Sequence, residues 1–75
     1  ITSEVKIKDD MASVKLNSIT PFFKTYQMKV GAGGEWKAVS DTLDISLQKN
    51  KNDIFFRTVN MQGVTGVEHK IIIEQ

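Results

Sequence analysis

"NDIFFRTVNMQGVTG", residues 52 to 66, is the stretch whose reading decides the fold. An apolar run ends abruptly in Asn60, Gly63 and Gly66. It is either the mouth of an active site or the end of a strand and its turn. Within it Ile54, Phe56 and Thr58 alternate with Phe55 and Arg57. Side chains two apart share one face of a strand, so the first three belong to a core face and Arg57 points away from it. Arg57 is therefore expected to be a surface or interface residue.

The same period of two runs outward from this stretch. "LDISL" sets Leu43, Ile45 and Leu47 against Asp44 and Ser46, and "YQMKV" sets Tyr26, Met28 and Val30 against Gln27 and Lys29. "VKI" at 5–7 and "VKL" at 14–16 are shorter copies, and "VEHKIII" is rich in β-branched residues that pack well on a pleated face. Between these runs stand "KDDMA", "NSITP", "GAGG", "SDT" and "NKND", at the spacing of a sandwich or a small barrel. No window carries a helical stripe. The spacing predicts strands over 3–8, 12–18, 23–30, 35–39, 42–48, 53–60 and 67–74. Pro21, which lacks a donor N–H, is expected at a strand entry or edge. The fold class is all-β, antiparallel, in two sheets.

Composition narrows the function classes. At 75 residues the chain is one small domain, 1–75, that buries only about 60% of its unfolded surface. A deep catalytic pocket is a poor fit to so thin a core. Ten basic residues against nine acidic ones leave a formal charge of +1, and neither half of the chain is strongly basic. Neither nucleic acid nor membrane insertion is expected, and no apolar run approaches the roughly 20 residues that span a bilayer. There is no cysteine, which removes disulfides and thiolate chemistry together. A start at Ile1, with no signal-peptide pattern, fits a processed protein or a module excised from a longer chain.

The order "YQMKVGAGGEW", then "LDISLQKN", then "NDIFFRTVNMQG" resembles fibronectin type III-like and related immunoglobulin-like sandwiches. It is most similar to the accessory domains that follow larger domains in bacterial extracellular and periplasmic proteins. The resemblance covers roughly residues 25 to 74. It implies a secreted, periplasmic or cell-surface location. It also implies that Asn60 bonds the turn backbone and that Gly63 and Gly66 supply unusual φ. Two features depart from the family. The chain is short, and the tyrosine expected two positions before Ile54 is Asn52, so a tyrosine corner cannot form in the usual way.

Candidate chemistry is sparse. His69 is the only histidine, and a base built on it would need a nucleophile and an orienting acid close by. It reads instead as a strand residue, packed or half exposed. Asp9 and Asp10 are neighbours that would point to opposite faces of a strand, so they read as a solvated turn. "NKND" offers oxygen ligands, but Lys49 and Lys51 place positive charge where a calcium would sit. "GAGGEW" has neither nucleotide-loop spacing nor a following helix and reads as a hairpin turn. No catalytic residue, metal ligand or cofactor is assigned.

Five residues stand out as a possible ligand or interface set: Trp36, Tyr26, Phe23, Arg57 and Met61. Trp36 either plugs one end of the sandwich, packs against a neighbouring domain, or lies exposed for stacking on a sugar. Of Phe22 and Phe23, one is expected inside and the other outside, where with Met61 it could meet a neighbouring domain. The leading expectation is a non-catalytic accessory module, a spacer or packing unit for a neighbouring domain or another protein. The alternative is a carbohydrate-binding module that stacks Trp36 and Tyr26 on a glycan, with Glu35 or Lys37 bonding hydroxyls.

Overall fold

Alternating apolar and polar residues favour strands that bury one face and leave the other in water. The computed structural model, which describes residues 1–19 and 22–74, has seven of them: β1 (Thr2–Lys8), β2 (Met11–Asn17), β3 (Phe23–Val30), β4 (Lys37–Val39), β5 (Thr42–Ser46), β6 (Lys51–Asn60) and β7 (His69–Glu74). They form a three-stranded sheet, β1-β2-β5, and a four-stranded sheet, β4-β3-β6-β7. Every pairing is antiparallel. The fold is a two-sheet sandwich. The place expected for Pro21 lies outside the described residues.

The core fills the space between the sheets. Ala12, Val14 and Leu16 of β2, with Ile45 and Leu47, meet Tyr26 of β3, Ile54 and Phe56 of β6, and Ile73 of β7. Phe56, Ile54 and Val14 are 0%, 1% and 1% exposed. Burying each such side chain stabilises the fold by about 1.5–3 kcal/mol. β6 is the spine, paired with β3 on one side and β7 on the other, and its inward residues Asn52, Ile54, Phe56 and Thr58 are all buried.

Strand limits differ from the expected ones for local reasons. β5 stops at Ser46 because its partner β2 begins at Met11; one more bond in the same register, from the Leu47 N–H to the Asp10 carbonyl (2.7 Å), reaches into the β1–β2 turn. β6 starts at Lys51, where Glu74 of β7 is its partner. β7 begins only at His69; Val67 is 89% exposed and outside the sheet. β4 is three residues long, and Trp36 precedes it.

The turn after β6 follows the expectation for Asn60. Its Oδ1 accepts from the N–H groups of Gln62 (2.9 Å) and Val64 (3.0 Å). Gly63 sits at φ 81°, where a side chain is strained. Gly66 is required for a different reason than the expected unusual φ: a Cβ there would press on Thr58 Oγ1.

Candidate functional site

The outer face of the four-stranded sheet gathers the aromatic and cationic side chains. The β3–β6 register sets Gln27 opposite Arg57 and Lys29 opposite Phe55, and the β6–β7 register sets Phe55 opposite Lys70. Because the alternating positions of β3 and β6 fill the core, these residues share the outward face. Trp36, just ahead of β4, folds back over them. The Arg57 guanidinium carbon lies 4.1 Å from the Trp36 ring centre. The Lys29 ammonium lies 4.9 Å from Trp36 and 4.8 Å from Phe55, held between the two rings. The Lys70 ammonium lies 5.5 Å from Phe55. A row Arg57–Trp36–Lys29–Phe55–Lys70 results, in which cations and rings alternate.

Polar bonds fix the row at both cations of β3 and β6. Arg57 Nε donates to Gln27 Oε1 (2.8 Å), and Lys29 Nζ lies 3.8 Å from Glu68. The Lys29 side chain is only 16% exposed. Cation–ring contacts are worth about 0.5–1 kcal/mol each at exposed sites and more when desolvated. Trp36 is thus half buried, with its ring already engaged by two cations. Arg57 points away from the core, as its alternation required.

Tyr26 sits on the opposite side of its sheet. Its ring is buried in the core at 6% exposure, with its hydroxyl 3.2 Å from Ser18 Oγ, so the ring offers no face to a sugar. Trp36 and Tyr26 therefore do not form one platform.

The second surface is one end of the sandwich. The Met61 N–H donates to the Phe22 carbonyl (2.7 Å), which brings the two residues to the same end of the sandwich; Met61 is 72% and Phe22 73% exposed. Val64, 60% exposed, belongs to the same turn. Phe23 packs its ring on Tyr26 with centroids 4.6 Å apart, yet remains 39% exposed. The expected split of one inward and one outward phenylalanine is therefore corrected: both are exposed. A bulge between Phe23 and Thr25 and a left-handed φ of 55° at Phe22 break the simple alternation there. Between the sheets this end opens as a shallow groove of about 300 Å³ rimmed by Phe23, Lys24 and Ser40.

His69 opens β7 and lies with its Nε2 3.0 Å from Ser3 Oγ of β1. The bond ties the edge strands of the two sheets together and is half buried. Sequence reading left Ser3, Lys29, Phe55 and Lys70 unmarked. Alternation placed Lys29 and Phe55 on outward faces, but only the strand register brings them into one row. Among the described residues no three of His, Asp and Glu gather as a metal site. No protein-family model, no curated protein and no solved structure matches the chain.

Proposed function

We propose that the chain is a non-catalytic β-sandwich module of the fibronectin type III-like kind that docks a neighbouring domain or protein through its apolar end. The carrying observation is the pair Phe22 and Met61. Two residues with large apolar side chains are joined by a main-chain bond while their side chains stay largely in water, at 73% and 72% exposure. Scattered exposed apolar residues are ordinary, but a fixed cluster at a loop end marks a contact surface. The strand pairing supports the family: the first two strands and the fifth form one sheet, while the third, sixth and seventh are neighbours in the other. A secreted, periplasmic or cell-surface setting goes with that family.

The glycan-binding alternative has lost Tyr26 to the core and rests on Trp36 alone, whose ring is engaged by Arg57 and Lys29. The single tryptophan separates the readings. Its emission should shift on adding no glycan class, and Nile red should bind the chain and lose that binding in the Phe22→Ser/Met61→Ser variant. A saturable Trp36 shift with one glycan would reverse the order of the two readings. Dye binding unchanged by the double substitution would remove the apolar end as the docking surface.

A further inference from the structure

We propose that β7 is a self-pairing edge: two copies of the chain join through antiparallel β7 strands about a two-fold axis at Ile72, which merges their four-stranded sheets into one. β7 closes its sheet, and no described strand pairs with its far side. An edge of this kind presents main-chain donors and acceptors to any strand that fits.

The direction of those groups follows from one bond. The Gly31 N–H donates to the Asp53 carbonyl (2.8 Å), so the main-chain groups of Asp53 face β3. In an antiparallel ladder that direction alternates from residue to residue. Asp53 faces Ile72 across the β6–β7 ladder, so this is the pair without main-chain bonds, and Ile72 turns its N–H and C=O to the free edge. Lys70 and Glu74 have the same parity and do likewise. Their side chains, with that of Ile72, stand on the outer face, and all three residues are exposed, Ile72 at 50%.

The sequence "KIIIE", 70 to 74, is complementary to itself when reversed. With Ile72 opposite Ile72 of a second copy, each Lys70 meets a Glu74, and each Ile71 meets an Ile73. Opposite charges and β-branched pairs directly across from each other favour a ladder, and like charges disfavour it. Shifting this antiparallel pairing by two residues toward the N-terminus brings Glu74 against Glu68, and either shift loses both lysine–glutamate pairs. A parallel in-register pairing stacks Lys70 on Lys70 and Glu74 on Glu74. The charges thus select one register and a closed, two-fold arrangement. An interface one strand long is small, so the dimer is a weak one.

Sedimentation velocity of the 75-residue chain from micromolar to millimolar concentration, with Lys70→Glu and Glu74→Lys variants, tests this. The native chain should pass from monomer to dimer. Each variant alone should associate about tenfold more weakly or worse, since both attractive pairs become repulsive. An equimolar mixture of the two variants should recover association as a heterodimer, because one then carries only acids and the other only lysines at these positions. Hydrogen exchange in the native dimer should show added protection at the Ile72 amide. A native chain that stays monomeric at millimolar concentration overturns the proposal. So does a dimer indifferent to both substitutions, or a mixture that associates no better than its parts.

Discussion

Asn52 occupies the position where the family resemblance calls for a tyrosine, and it does comparable work by shorter bonds. Its Oδ1 accepts from the Gln48 N–H (2.8 Å), and its Nδ2 donates to the carbonyls of Gln48 (2.9 Å) and Ile73 (3.2 Å). A tyrosine corner bonds back to main chain a few residues upstream from a strand start. Asn52 reaches back four residues in the same sense, and also ties β6 to β7. The side chain is 7% exposed, so these groups have little water to turn to when it is removed. Asn52→Ala should therefore lower stability by about 2 kcal/mol, read as a fall in the urea midpoint with an unchanged slope. Asn52→Asp should lose at least as much, because a carboxylate oxygen would face two carbonyls. An alanine variant as stable as the native chain would show the loop 47–52 to be held by packing alone. The sequence announced the missing tyrosine but not its replacement. Only the fold brings Ile73 beside Asn52.

At the scale of elements, the cation–ring row is a device for holding the short β4 hairpin against the sheet. β4 has three residues, too few for its own ladder to fix the loop ahead of it. Trp36 supplies the missing hold by lying over Lys29 of β3 and Arg57 of β6. The Trp36→Ala, Arg57→Ala and double variants form a cycle whose coupling should be about 0.5–1 kcal/mol by thermal or urea unfolding. Zero coupling would leave Trp36 as an ornament of the surface. The strands themselves were legible because alternation is a local property: "LDISL" and "IFFRTV" declare their inward residues without reference to partners. β3 and β6 were found within two residues of their limits for that reason. The row was not legible, since Lys29 and Phe55 stand far apart in the chain and meet only through the β3–β6 register. Trp36 likewise fell inside an expected strand, because nothing in "GEWKAV" records that its ring folds back.

Across the whole molecule, a thin core has to support a strained and exposed residue at one end. Phe22 holds φ 55°, a left-handed backbone that a bulky side chain resists, while 73% of its surface faces water. Neither feature adds much to the fold: the strain costs stability, and the residue buries only a minor part of its surface. Asparagine accepts the left-handed region far better than phenylalanine. Phe22→Asn should therefore leave the chain as stable as the native one or more stable by about 1 kcal/mol. It should do so while removing the exposed apolar ring at this end, so the gain in melting temperature and the loss of Nile red binding should arrive together. A substitution that stabilises the fold and removes binding identifies a residue retained for contact rather than for folding. A loss of more than 1 kcal/mol would instead give Phe22 a place in the packing of its own domain, and the docking end would then have to be sought around Met61 and Val64 alone.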